Sequence, residues 1–367
     1  MPDVLIIGAG IVGCAVGEAL ARQGASVSFV DPQGVGLGAT QASAGMLTPY
    51  SEGLHDPVLE ALGLRSLWLW DAFVDRLFDA DVPPQVYARN GSLEIALDDA
   101  EAAELQAVAS AHAARGVGSR YLKGADARQL EGDIAASCVG ALLTPAHGYA
   151  SASAVTTALW RACGARGAHL TRASVERIQP AATGIVVHTT EGPLTAATVV
   201  LAAGSWAGQI PIDDVEPLPV RPVRGQLLYL KWPAPAVNRI VWGSRCYAVP
   251  WPDGTLLVGA TLEEVGFDSR ATVAGVRDLL DGICDLVPRA WQAAFVGARV
   301  GLRPGSPDAL PIIGRSARVP GLVYATGHYR NGVLLAPLTG ELVAGVVAGD
   351  ESDAALALVS PRRLGDY

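Results

Sequence analysis

The chain begins with Val4 to Ile7, a short apolar run without polar interruption. Such a run suits a strand buried on both faces. A glycine turn follows, then helical spacing of apolar residues from about Ile11 to Gln23, then a second apolar run, SVSFV, that ends on Asp31. Strand, turn, helix and strand in this order predict a parallel βαβ unit. Helical periodicity returns at about Asp56 to Leu77, Ala100 to Arg115, Ala154 to Arg166 and Ala274 to Leu286. Short strands are predicted at Gly91 to Ala96 and across roughly Gly225 to Ala260, where RCYAVPW and TLLVGAT are joined through the turn signal PDG. The alternation in VERIQPAATGIVVHTTEGPLTA predicts a β-meander. It leads into TVVLAAGSWA, Thr198 to Ala207, a buried strand ending in Ala-Ala-Gly. Near the C-terminus a strand at Leu322 to Ala325 precedes GHYRNGVLLAP and a helix from about Val333 to Val347. Pro337, Thr339 and Glu341 interrupt this apolar stretch, which reads as a buried helix and not as an integral membrane segment.

Segments suited to a nucleotide-binding lobe thus stand at the start, middle and end of the chain, with strand-rich material between them. The expected fold is α/β. A Rossmann-like domain is assembled discontinuously from residues 1–85, 145–210 and 300–367, and a second mixed-sheet α+β substrate domain from 86–144 and 211–299. A length of 367 residues, half of them hydrophobic and 17% charged, is sufficient for two lobes with a large core. The net charge of −9 argues against nucleic acid as a partner. Five scattered cysteines and six histidines without ligand spacing predict no metal site and a reduced, cytoplasmic setting. The apolar start has no basic lead, so no secretory leader is expected.

Gly8, Gly10 and Gly13 form a G-x-G-x-x-G turn. The first permits the tight turn, the second lets backbone approach a pyrophosphate, and the third lets helix and strand pack closely. The helix that follows points its amides and positive dipole end at the phosphates. Asp31, at the end of the second strand, can accept hydrogen bonds from ribose hydroxyls and disfavours NADP. The fingerprint alone does not choose between FAD and NAD. Two segments favour FAD. GATQASAGMLTPY can run beside a long cofactor, with Thr40 and Ser43 as donors and Gly45 admitting a flat ring; the strand at Thr198 returns to the sheet late in the chain, which an NAD domain does not need.

With IIGAGIVG, TQASAGML, VVLAAGSWA, CYAVP followed by LLVGAT, GLRPGSPDALPIIGR and GHYRNGVLLAP, nearly the whole chain resembles the D-amino-acid oxidase family of flavoenzymes. Within that family the likeness is strongest to the glycine oxidase branch of thiamine biosynthesis. The resemblance implies FAD, bound noncovalently because no cysteine falls between Gly301 and Gly314. It implies oxidation of an amine beside a carboxylate, with oxygen as electron acceptor. The cofactor surface it implies comprises Gly8, Gly10, Ile11, Val12, Gly13, Asp31, Thr40, Gln41, Ser43, Gly45, Met46, Val175, Ala203, Gly204, Trp206, Arg330, Asn331, Gly332 and Val333.

Three residues are expected to carry the chemistry. Arg303, in GLRPG, can grip a carboxylate with two parallel N–H bonds. Tyr247 can donate to the same group. Arg330, in the glycine-flanked turn before the last long helix, borders the substrate amine by resemblance, and that helix's first-turn amides are expected to face the electron-accepting ring. Strand alternation would place Arg245 on the face of Tyr247, where it either adds a cation to the pocket or meets solvent. Leu262 and Met46 would add apolar walls. His328 adjoins the cofactor segment, with its direction open. The expected partners are a small amino acid and oxygen, with room for a homo-oligomer. The nearest rival is a D-amino-acid dehydrogenase of the same fold that uses a quinone; further rivals are a flavin-binding partner protein without turnover and an NAD-dependent dehydrogenase.

Overall fold

The computed structural model describes residues 2–52, 56–79, 81, 83, 85–232 and 236–367; residues 233–235 of the expected strand-rich stretch lie outside the described residues. A six-stranded sheet runs in the order Ile312–Arg315, Leu322–Thr326, Thr198–Leu201, Val4–Ile7, Val27–Val30, His169–Thr171. Its neighbours are parallel except for the Ile312–Arg315 and Leu322–Thr326 pair. Both faces are covered, which is why its strands read as unbroken apolar runs. Helices Ile11–Arg22 and Ala336–Ala348 join one hydrophobic cluster, and the antiparallel meander Val175–Pro180, Ile185–Thr189, Leu194–Ala196 packs into another.

Two glycines one turn apart let the first helix sit close to this sheet. A Cβ on Gly13 would lie 2.1 Å from the Gly8 carbonyl oxygen, and one on Gly17 would lie 2.3 Å from the ring of Phe29. Phe29 is fully buried there, worth roughly 1.5–3 kcal/mol of hydrophobic stabilisation.

An eight-stranded mixed sheet has the order Ala294–Gly305, Arg221–Lys231, Thr255–Gly259, Tyr247–Pro250, Ile240–Trp242, Ser92–Ala96, Gly140–Thr144, Arg120–Lys123. Helix Val273–Leu286 contributes to its apolar cluster. The hairpin signalled by PDG forms, with Tyr247 paired to Gly259 and Pro250 to Leu256. The edge strand Ala294–Gly305 runs through residue 300, where a segment boundary was expected, and carries Arg303 on the eight-stranded sheet. A small sheet of Met46–Leu47, Gly148–Ala150 and Tyr87–Ala88 completes the architecture.

The apolar stretch near the C-terminus is a buried helix, and it starts at Ala336 rather than at about Val333. Pro337 occupies its first turn, as proline does without losing a needed donor. Residues 332–335 form a turn that hands the chain into it. Helices Gly124–Leu130 and Ala354–Val359 add to those expected. Among the described residues no helix is long and apolar enough to cross a membrane, and no group of His, Cys, Asp and Glu could hold a metal ion.

Candidate active site

Gly8 and Ala202 leave the carboxyl ends of adjacent parallel strands, the position where open α/β sheets take ligands. A cavity of about 470 Å³ starts there, within the usual range for cofactor and small-molecule sites. It extends along the Gly38 to Met46 segment to the eight-stranded sheet, where Gly225, Tyr247, Thr261, Leu262 and Arg303 close it.

The glycine end is built by close approaches. Gly8 has φ +107°, and a Cβ there would lie 2.4 Å from the Ala202 carbonyl oxygen, so only glycine fits. Thr40 Oγ1 accepts the Ile11 N–H at 3.1 Å, tying the 38–46 segment to the start of the helix. Asp31 accepts from the N–H groups of Ala9 at 2.9 Å, Gln33 at 2.8 Å and Gly34 at 2.9 Å. A carboxylate has about four lone-pair sites, so three fix its position and one direction is left for a ligand hydroxyl. Gly45, at φ +72°, brings the chain against Ala150, whose carbonyl oxygen would be 1.8 Å from a Cβ.

At the other end, Arg303 Nη1 donates to the carbonyl oxygens of Thr261 at 3.1 Å and Arg224 at 3.2 Å. No carboxylate pairs with it among the described residues. A glycine on the adjacent strand, two residues along from Arg303's register partner Val223, makes its place: a Cβ on Gly225 would lie 2.4 Å from both Nη atoms. Gly259 does the same for Tyr247, whose hydroxyl would be 2.5 Å from an added Cβ. The turn carrying Arg330 is fastened to this end. Tyr329, at φ 48°, donates its N–H to Pro304 O at 2.9 Å, and His328 bridges Gly305. His328 lines the cavity, but its Nε2 meets Thr339 Oγ1 at 2.9 Å and burial lowers its pKa to about 4. It is therefore a neutral positioned ring at pH 7. Asp31 is the only acidic side chain among the described lining residues.

Of the residues singled out from sequence, Gly8, Gly10, Ile11, Val12, Asp31, Thr40, Ser43, Gly45, Met46, Val175, Ala203, Gly204, Trp206, Arg330, Asn331, Gly332 and Val333 line this one cavity together with Arg303, Tyr247 and Leu262. Three do not. Gly13 is a packing contact behind the turn. Gln41 turns its amide to the Leu37 carbonyl and borders a separate surface cavity. Arg245 pairs with Asp285 at 2.7 Å with both side chains more than half exposed. The strand begins only at Tyr247, so alternation does not reach back to Arg245 and the pocket-cation placement is corrected. The expectation for the last helix also changes. The Ala336 N–H donates to Val333 O and the Leu338 N–H to Ser66 Oγ, so it is the turn 330–333, and not the helix's own first turn, that borders the cavity. Sequence reasoning passed over Gly225; a glycine inside a strand is a signal of close approach. It also passed over Phe267, whose ring lies 5.7 Å from that of the cavity-lining Trp206.

A profile of the family described as FAD dependent oxidoreductase (DAO) matches residues 3–346. A curated glycine oxidase from Geobacillus kaustophilus (strain HTA426) is 35% identical over 366 residues, covering 98% of this chain and 97% of that protein. The crystal structure of glycine oxidase from Geobacillus kaustophilus superposes with a TM-score of 0.91 at 33% identity, covering 99% of this chain and 98% of the other. That of iminodiacetate oxidase from Chelativorans sp. BNC1 gives 0.89 at 29% identity, covering 98% of both chains. The chain belongs to the DAO family of FAD dependent oxidoreductases.

Proposed function

We propose that this protein is an FAD-dependent amino-acid oxidase that deaminates glycine, sarcosine and small D-amino acids to the α-keto acid, ammonia and hydrogen peroxide. The observation that carries the reading is Arg303, a guanidinium held on a cavity wall by two carbonyls with no acidic partner among the described residues. Such a group is placed to take a substrate carboxylate through parallel N–H bonds. The likeness to glycine oxidases, and to an iminodiacetate oxidase whose named substrate is an N-substituted glycine, supports the substrate class.

The residues present fit the cofactor. The cavity runs from the Gly8 turn and Asp31, where an adenosine ribose and pyrophosphate would lie, to the wall of Arg303 and Tyr247, with the bare Gly45 backbone between. In this assignment residues 1–85, 145–210 and 300–367 hold FAD and residues 86–144 and 211–299 supply the substrate wall, with the strand Ala294–Gly305 carrying Arg303 across residue 300 onto that wall. Bound FAD supplies two-electron acceptance, with oxygen as terminal acceptor. The chain's own work is orientation. Arg303 fixes the carboxylate and Tyr247 supports it from the strand Tyr247–Pro250 of the same sheet, with two strands between them. The Arg330 turn, fastened to Pro304, borders the amine. His328, neutral and bound to Thr339, is not placed as the base, and none is needed at Cα: from a neutral amine the C–H electron pair would leave as hydride to the cofactor, the nitrogen lone pair would form the iminium, and solvent would take its proton to give the imine. Water then hydrolyses the imine.

None of the cysteines lines the cavity, and burial raises Cys14, Cys163 and Cys246 well above ordinary thiols, so the cofactor is noncovalent in this account. A second reading, a D-amino-acid dehydrogenase with a quinone acceptor, is favoured by the exposed apolar side chains of Leu262 and Trp206 on the cavity wall, with Phe267 against Trp206. A peroxide assay with glycine, sarcosine and D- and L-alanine, run beside an artificial quinone, separates the two. Turnover of L-alanine alone would refute the D-side preference that a carboxylate fixed on Arg303 implies.

A further inference from the structure

Behind Arg303 lies a second guanidinium that the proposed chemistry does not use. Arg224 is only 4% exposed, yet it holds two carboxylates of the following loop, Glu263 at 2.5 Å and Asp268 at 3.0 Å. Its main chain forms a reciprocal pair with Glu263, N–H to O at 2.8 Å and O to N–H at 3.0 Å. Glu263 also accepts from Thr261 Oγ1 at 2.6 Å and from Gln226 Nε2 at 2.8 Å. Asp268 is shared with Arg270 at 2.9 Å.

Two of the three residues whose side chains meet Glu263, Arg224 and Thr261, are also the two whose carbonyl oxygens hold Arg303 Nη1. A carboxylate on that loop is therefore bonded to the side chains of the same residues whose main chain holds the substrate-side guanidinium. With Arg224 and Arg270 opposite Glu263 and Asp268, the cluster is electrically neutral. Remove Arg224 and it carries a net negative charge at the segment whose carbonyls hold Arg303. A buried guanidinium bound to two acids is no stronger for stability than a well-packed apolar residue would be, and Arg224 Nε finds no partner among the described residues. Its arrangement makes more sense as a device for occupying acids.

We infer that Arg224 is a positioning residue that sequesters Glu263 and Asp268, keeping Arg303 unpaired for the substrate carboxylate. The inference rests on Arg303 being that anchor, and the experiment separates the two. Acetate is titrated into the FAD-loaded enzyme while the visible flavin spectrum reports binding. Arg303→Ala should abolish the response. Arg224→Met should weaken acetate about tenfold and raise the KM for glycine similarly, with kcat at saturation within about twofold, since one freed charge competing at close range is worth roughly one decade. Arg224→Lys, which keeps the charge, should stay near wild type. In Arg224→Met/Glu263→Gln, the competitor is gone and acetate affinity should return to within about threefold of wild type, whereas a merely structural Arg224 would leave the double variant as weak as the single or weaker. Glu263→Gln alone, which keeps Arg224, should bind acetate at least as tightly as wild type, and it tests the idea even if Arg224→Met does not fold. Unchanged acetate binding in Arg224→Met, no rescue in the double variant, or weakened binding in Glu263→Gln would each overturn the inference while leaving the anchor intact. Wild-type acetate affinity in Arg303→Ala would remove the anchor, and this inference with it.

Discussion

Gly225→Ala tests how closely the anchor is held. The methyl group would lie 2.4 Å from Nη1 and Nη2 of Arg303 and 2.5 Å from Cζ. Ordinary carbon contacts are about 3.5–4.0 Å, so the guanidinium must retreat by roughly 1 Å. The backbone itself does not object, because Gly225 is not among the positive-φ glycines. The long Arg303 side chain therefore moves, leaving its bonds to Arg224 O and Thr261 O. A misplacement of about 1 Å in a positioning group costs on the order of 10²-fold in rate, or about 2.7 kcal/mol of transition-state stabilisation. The expected result is a kcat/KM for glycine lowered about 10²-fold in the peroxide assay, with flavin content and thermal midpoint close to wild type. If kcat/KM stays within about threefold, Arg303 does not need the space Gly225 leaves, and the geometric argument fails.

Other consequences are open to direct measurement. Arg245→Ala should leave the substrate panel unchanged within about twofold, since its guanidinium pairs with the exposed Asp285 and exposed pairs contribute little; a selective loss for diacidic substrates would restore it to the pocket. Acid precipitation should leave the yellow colour in the supernatant, and a yellow pellet would contradict noncovalent FAD. Burial lowers His147 to about 3 and His328 to about 4, against an ordinary value of 6.5. Because the unfolded chain takes up these protons first, their contribution is full above pH 6.5 and is lost as pH falls toward those values, by about 1.4 kcal/mol per pH unit for each ring. Denaturant unfolding of His147→Gln should show a shallower fall below pH 6.5; a slope equal to wild type would refute the buried neutral state.

What could be read from sequence was what local patterning dictates. The Val4–Ile7 strand, its glycine turn, the first helix and the Tyr247 to Gly259 hairpin are short-range features, and the structure has them. Arg245 could be put in the pocket or in solvent from the sequence, and the strand that would have decided it by alternation begins only at Tyr247. The last helix was begun too early because Gly332 to Leu335 is as apolar as a helix face while forming a turn. Helix Gly124–Leu130 is too short to display a period, and the edge strand Ala294–Gly305 shows no clean alternation, with Phe295 and Val296 both exposed. The neutral cluster around Arg224 joins residues 39 and 44 positions apart in sequence. Only the pairing of the loop after Gly259 with the strand Arg221–Lys231 brings these groups together, and no local pattern encodes that.

The central claim is that the Arg303 guanidinium holds the substrate's carboxylate and so aims its C–H bond. The most direct test is rapid anaerobic mixing of glycine with the FAD-loaded wild type and with Arg303→Ala, following the loss of visible flavin absorbance. Losing two charge-assisted hydrogen bonds of about 1.5–3 kcal/mol each should slow reduction at low glycine by about 10²- to 10⁴-fold. Reduction of the variant at the wild-type rate would contradict the account.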